Sequence, residues 1–481
     1  MAAAFVLGSA CASLADPDET VQPSTSSPPT SAPGPSSTTV PTEPKAPGTD
    51  GLLTFRGNPT RTFYGTGPMP KRPSVLWRFP DEPMCSLSID GSGETKWCGT
   101  GWTGQPAVVE RKGRTWVVFG AYDRAVHFLD GATGDRLIPD FVTGDLIKGS
   151  VSFDPDGYPL VYTGSRDNHF RVIAVDRSVP EELWRLSAGD VSPVLWNNDW
   201  DGSGLVHDGY LYEGGENSQF HVVELNRSYG ADGKVAADPR LAFNAPGWDA
   251  ELLSAIPDKN VSIESSVAMW NGVVYFANSG GLVQGWDVSK VASGQDAERV
   301  FRYWMGDDVD ATVVIDDEGM LYVGSEWERH LPRGREVGQL VKLDPRKDDP
   351  LVWSVDDQVP GVGRVDDVAG IWATPAIYKD LVVAATDGGR LMGVDRATGD
   401  VRWTKHLPNP VWQSPVVVDD MLLEGDCHGV LHAYDLRDTK VDPPELWTVT
   451  VPGCIESTPA VWKGRIYFGT REGHFYAVGD T

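Results

Sequence analysis

One cassette recurs along this chain and leaves few folds open to it. Its clearest copy runs Trp372-Ala-Thr-Pro375-Ala-Ile, Leu381-Val-Val-Ala-Ala-Thr386, Arg390-Leu-Met-Gly-Val-Asp395 and Thr398-Gly399-Asp-Val-Arg-Trp403. The next copies open on Trp412-Gln-Ser-Pro415 and Glu456-Ser-Thr-Pro459. Each piece is a short apolar, β-branched run, and the joins carry Gly, Asp or Asn, so each piece reads as a strand and each join as a turn. Four strands repeating every roughly 40 to 50 residues are the signature of propeller blades. Walking back along the chain, weaker copies begin at Asp310, Glu264, Asp201, Lys148 and Thr103, which makes eight. The expected fold is therefore all-β, an eight-bladed propeller of four-stranded antiparallel blades.

The last copy stops after its third strand at His474-Phe-Tyr-Ala-Val478, and a spare strand, Val75-Leu-Trp-Arg-Phe79, lies ahead of the first. Pairing the two closes the ring and covers two bare sheet edges. Trp residues recurring in outer strands (Trp77, Trp184, Trp304, Trp353, Trp403 and Trp447) are expected to dock one blade on the next.

The Ala397-Thr-Gly-Asp-Val-Arg-Trp403 tail and the Ser/Thr-Pro openings at Pro375, Pro415 and Pro459 resemble the PQQ-like, quinoprotein-type propeller family over about residues 51 to 481. That family includes quinone-dependent dehydrogenases, non-enzymatic envelope lipoproteins that scaffold protein assembly, and sensor domains. In the dehydrogenases, carboxylates ahead of the inner strands hold calcium and a Trp underlies the quinone. Function follows from the site and not from the fold.

Residues 1–15 have the apolar run of an export signal leading into a lipobox-like Gly8-Ser-Ala-Cys11, with Cys11 as lipid acceptor. No Lys or Arg precedes the run, and Leu7 sits one place early. Residues 16–50 are dominated by Pro, Ser and Thr and are expected to be a disordered tether. Residues 51–481 form the propeller. An extracytoplasmic protein, anchored by an N-terminal lipid or secreted and monomeric, is expected. A net charge of −27 argues against nucleic acid as a partner. In a propeller the loops leading into inner strands and those between second and third strands share one face. Cys85 and Cys98, and Cys427 and Cys454, fall in such loops, so two disulfides can staple that face, whereas zinc-type spacing is absent.

Aligning the inner strands places one residue per blade at the channel mouth. These are Thr103 (beside Trp102), Lys148, Asp201, Glu264, Asp310, Trp372, Trp412 and Glu456, with Asp308 and Asp367 nearby. Four carboxylates face one ammonium, with two Trp rings across the ring. Clustered oxygens suit a cation, though a wet channel mouth is commonly polar for no further reason. A second candidate is the run from Asn197 through Asp199 and Asp201 to Asp208. Its oxygen-bearing residues fall at calcium-loop positions with Gly202 at the sixth, but it equally suits plain turns. His432 is expected to serve packing or hydrogen bonding. No Gly-x-Ser-x-Gly, His-Glu-x-x-His or phosphate-binding loop occurs, nor the adjacent Cys pair or Cys-x-x-Cys-His haem motif of many quinoprotein dehydrogenases.

The expected function is thus a non-enzymatic envelope lipoprotein that binds a protein partner or small ligand. Its top face would use Trp102, Lys148, Asp201, Glu264, Asp310, Trp372, Trp412 and Glu456. The alternative is a calcium- and PQQ-dependent oxidoreductase of alcohols or sugars. There Asp201 and Glu264 would bind metal, Asp310 would act as base, and Trp372 or Trp412 would stack on the quinone.

Overall fold

The computed structural model describes residues 48–90, 93–101, 104–361, 367–408 and 410–481. The signal-like segment, Cys11 and most of the tether lie outside them, as do Trp102 and Thr103. Eight antiparallel sheets each carry four propeller strands in the order inner to outer. The ring closes as the sequence indicated: Ser74–Phe79 pairs antiparallel with Phe475–Gly479 as the outer strand of blade 8. Blade 1 is the least regular. Its Thr133–Leu137 run contributes only an isolated Leu129–Arg136 bridge, and the outer strand is Phe141–Val142. In blade 3 the outer strand is Arg240–Pro246, preceded by a small extra hairpin.

The apolar core lies in the seams between blades, where two-sided strands from neighbouring sheets interdigitate. Two devices lock those seams, and each explains part of the cassette. First, the hydroxyls at the start of the inner strands form a belt around the channel. Ser266 N–H donates to Thr312 Oγ1 (3.0 Å), Thr312 N–H to Thr374 Oγ1 (3.0 Å) and Thr374 N–H to Ser414 Oγ (2.9 Å), each step crossing to the next blade. Gln105 N–H to Ser150 Oγ and Ser203 N–H to Ser266 Oγ repeat the pattern. Second, outer-strand indoles reach across: Trp77 Nε1 donates to Gly131 O and Trp353 Nε1 to Arg396 O, both 3.1 Å. The Gly of the Thr-Gly-Asp tail lies under that indole, Gly134 against Trp77 and Gly399 against Trp353.

Residues 51–66 have a role that the periodicity did not show. Gly51–Leu52 adds to the inner strand of blade 1, and Gly65–Thr66 runs parallel to the inner strand of blade 8. Between them the chain crosses the channel and fills it. Arg56 and Arg61 are wholly buried. Arg56 donates to the carbonyls of Thr374, Pro375 and Pro415 at 2.7–2.8 Å, and Arg61 to those of Phe55, Ser203 and Val267 at 2.7–3.1 Å. Each guanidinium therefore ties two neighbouring blades to the crossing segment. Burial lowers the Arg61 pKa to about 9, against the opposing pull of the Glu213 carboxylate. Glu424 acts likewise toward Arg56. With this plug in place, the channel is a funnel with a floor.

Both disulfides that the topology allowed are formed, Cys85–Cys98 across the hairpin Cys85–Asp90/Gly93–Cys98 and Cys427–Cys454 between blades 7 and 8. Bridges of this kind persist in oxidising, extracytoplasmic compartments.

Candidate functional site

The funnel holds a cavity of about 380 Å³. Its walls come from the loops leading into inner strands and from those between second and third strands. Of the residues expected at its mouth, Lys148, Glu264, Asp310, Trp372, Trp412 and Glu456 line it. Asp201 lies behind Lys148 and is fully buried.

On the blade 3 side, the Lys148 ammonium sits among three buried carboxylates. Its Nζ is 2.6 Å from Asp201 Oδ2, 3.0 Å from Glu216 Oε1 and 3.1 Å from Asp199 Oδ2. Burial alone would depress the Lys148 pKa, but the three carboxylates outweigh it and hold the pKa well above its ordinary value. Asp199 is raised to about 6 by burial, with Lys148 opposing. Asn197 donates to Glu216 Oε2 at 2.7 Å and so orients the trio. The calcium-loop expectation is corrected in part here. Asn197, Asp199 and Asp201 do converge, but Asp208 sits exposed on the turn between Leu205–His207 and Tyr210–Gly214, at the far end of the inner strand. The loop runs straight into a strand, which carries its last position away from the first. An ammonium already stands where such an ion would sit.

Across the funnel, Glu264, Asp308, Asp310, Glu326 and Glu328 form an acidic wall. Ser262 Oγ donates to Glu264 Oε1 at 2.8 Å, and Arg329 lies 3.3 Å from Asp308 Oδ2. Burial, then repulsion from neighbouring carboxylates, pushes Glu264, Asp308 and Glu326 well above the usual carboxylate range. Asp310 is raised to about 6 by burial, with a hydrogen bond to Glu326 opposing. Local pairing positions Glu326: Glu326–Trp327 bonds antiparallel to Ala369–Gly370, and Glu326 N–H donates to Asp308 O at 2.8 Å.

Trp372 and Trp412 complete the wall, 5.0 Å apart and edge to face at 74°. Trp412 Nε1 donates to Asp387 Oδ1 at 2.7 Å. Beneath them Phe55 of the plug, Thr312, Thr374 and Ser414 form the floor. On the blade 8 side Glu456 meets Arg471 at 3.2 Å, and burial, offset by Arg471, raises Glu456 to about 7. Arg471 also lies 5.1 Å from the Trp97 ring on the disulfide-bonded hairpin. His432 bonds Asp426 and Glu445 on its own blade, away from the funnel lining.

Glu216, Glu326, Glu328, Trp97 and Arg471 escaped the alignment of inner strands. A usable signal was present: Glu216, Glu326 and Glu328 follow the second strands Tyr210–Gly214 and Leu321–Gly324, in loops that share the funnel face.

The family described as outer membrane protein assembly factor BamB matches residues 336–478. No curated protein matches the chain in sequence. The quinohemoprotein alcohol dehydrogenase of Comamonas testosteroni superposes with a TM-score of 0.58 at 13% identity, over 90% of this chain and 81% of that one. BamB from Moraxella catarrhalis gives 0.53 at 13% identity, over 85% and 98%. The chain has the propeller fold of these two proteins. The designed Ika8 protein (TM-score 0.54, 12% identity, over 79% and 96%) shares its fold as well.

The residues present fit the two cofactors of the PQQ-like family unequally. The acidic wall offers clustered hard oxygens, as calcium requires. PQQ carries three carboxylates, and the cavity walls present six carboxylates against Lys148 and Arg471. Trp372 and Trp412 meet edge to face, so they offer no stacked pair of planes for a flat ring.

Proposed function

We propose that this PQQ-like propeller is a non-enzymatic, extracytoplasmic binding protein that captures a partner protein or small ligand by a cationic group entering the funnel. The observation that carries this is the funnel itself: closed below by the Arg56–Arg61 plug, walled by carboxylates and faced by two indoles. Carboxylates attract an ammonium or guanidinium from a distance, and an indole face adds cation–π attraction once it is desolvated. The match to an assembly factor supports a protein partner in the envelope. Attachment through a lipid on Cys11, with residues 16–50 as leash, belongs to the same proposal.

The test is a tryptophan-fluorescence titration of the full chain with an oligo-lysine peptide, paired with pull-downs from envelope extracts. Trp372→Ala with Trp412→Ala should abolish both responses while keeping the melting temperature near that of the parent. Binding that survives in the double variant moves the site elsewhere.

The second reading is a quinone-dependent oxidoreductase. Asp310, which burial raises to about 6, and Trp372 line the same part of the funnel. A carboxylate so tuned can take the proton of an alcohol hydroxyl near neutral pH. A rise in melting temperature with calcium and PQQ together, and dye reduction with simple alcohols or sugars, would establish it.

A further inference from the structure

The two disulfides staple the same face, and they differ in one respect. All four cysteines are partly exposed. At Cys427–Cys454, one carboxylate oxygen of Glu456 lies within 4.8 Å of both sulfurs. Among the described residues, no carboxylate or imidazole is so placed against both sulfurs of Cys85–Cys98. Glu456 is only 6% exposed and meets Arg471 Nη1 at 3.2 Å. Arg471 in turn lies 4.8 Å from the ring of Tyr122, the phenol that blade 1 sets against Glu456. Burial raises the Tyr122 pKa, so that phenol stays neutral. Of the other charged groups nearby, Asp426 bonds His432, while His428 and Glu472 are exposed. Backbone bonds hold the group together: Arg471 N–H donates to Cys454 O and Ile455 N–H to Asp426 O, both at 3.0 Å.

A bridge that only staples two loops gains nothing from an ionisable neighbour, and burying that neighbour costs stability. Exchange chemistry does gain from one. Opening a disulfide leaves an electron pair on the departing sulfur, which takes up a proton below a pH of about 8.5. Burial, offset by Arg471, lets Glu456 keep its proton up to about 7. We propose that Cys427–Cys454 is an exchange-active disulfide, with Glu456 as its proton relay, that oxidises a pair of cysteine thiols on a partner peptide. One thiolate of the peptide attacks a sulfur of the bridge. The Cys427–Cys454 bond breaks as the mixed disulfide forms, and Glu456 protonates the departing sulfur. Glu456 then takes the proton of the peptide's second thiol. That thiolate attacks the peptide sulfur of the mixed disulfide, and Glu456 returns the proton to the second cysteine as it leaves. Two electrons pass from the peptide to the bridge. Each protein molecule does this once, so the inference stands apart from the binding function proposed for the funnel.

The test uses folded full-length protein and a reduced synthetic Cys-Gly-Gly-Cys peptide. Timed alkylation followed by mass spectrometry reports which bridge has opened. Cys427–Cys454 should open first. Its rate relative to that of Cys85–Cys98 cancels the titration of the attacking thiol. That ratio should fall as pH rises through about 7, where Glu456 loses its proton. Glu456→Gln should slow the opening of Cys427–Cys454 by on the order of 100-fold at about pH 6 and leave Cys85–Cys98 unaffected. The ratio in the parent needs no variant, so it decides the matter even where Glu456→Gln fails to fold. Three results overturn the proposal: Cys427–Cys454 opening no sooner than Cys85–Cys98, a ratio indifferent to pH, or a folded Glu456→Gln that opens at the parent's rate.

Discussion

Gly399 of blade 6 lies directly against the indole of Trp353 in blade 5. A Cβ built on that glycine would come within 2.9 Å of Trp353 Cβ and Cγ. The glycine also has φ +82°, a region that L side chains seldom adopt. In blades 1 and 6 the Thr-Gly-Asp tail and the outer-strand Trp of the neighbouring blade are thus two halves of one inter-blade joint.

Gly399→Ala should therefore cost about 3 kcal/mol, combining backbone strain with overpacking. Gly272→Ala is the matched control. Its φ is +79°, but the nearest atom to the new Cβ is 3.5 Å away. It should lose only about 1 kcal/mol. Urea denaturation of both variants separates the two contributions, and equal losses would mean that the Trp contact contributes nothing.

Lys148→Met leaves Asp199, Asp201 and Glu216 buried together without their ammonium. Removing one partner of a buried ionic cluster costs about 3–5 kcal/mol. Thermal melts should show that loss. Millimolar calcium should restore more stability in the variant than it adds to the parent, because the emptied trio then becomes an oxygen site.

Arg56→Met should destabilise by a similar amount, about 3–5 kcal/mol, by stripping Glu424 of its buried counter-charge. Adding Glu424→Leu should return part of that loss. Additivity of the two changes in a double-mutant cycle would show that the pair is not coupled.

His221 is buried against Trp200 and has its pKa lowered to about 4, chiefly by burial. The unfolded chain binds this proton near pH 6.5 and the folded chain only near 4. Its contribution is therefore full above pH 6.5 and is lost as pH falls toward 4, by about 3 kcal/mol at most. Glu456, raised to about 7, works in the opposite sense, adding stability at low pH that fades as pH rises through 7. The clean measurement is parent minus His221→Gln across pH 4 to 7.5. That difference should shrink as the pH drops, and a flat difference would contradict the burial account.

The sequence alone determined the blades. Alternating apolar runs at a fixed period record the two faces of each strand. The Thr-Gly-x-x-x-Trp tail and the orphan strand at Val75 record the joints and the closure. The mouth positions Lys148, Glu264, Asp310, Trp372, Trp412 and Glu456 were legible for the same reason, since each repeat places its own inner strand. Only the tertiary structure decided how those residues are used. Arg56 bonds the carbonyl of Pro415, 359 residues away, and nothing local in Phe55-Arg-Gly-Asn58 distinguishes a channel plug from a loop. Lys148 is neutralised by Asp201, 53 residues on, while Asp310 gains Glu326 from a loop on its own blade. Repetition fixes where a side chain stands on its blade. Charge pairing across a shared cavity depends on what every other blade brings to the same few ångströms.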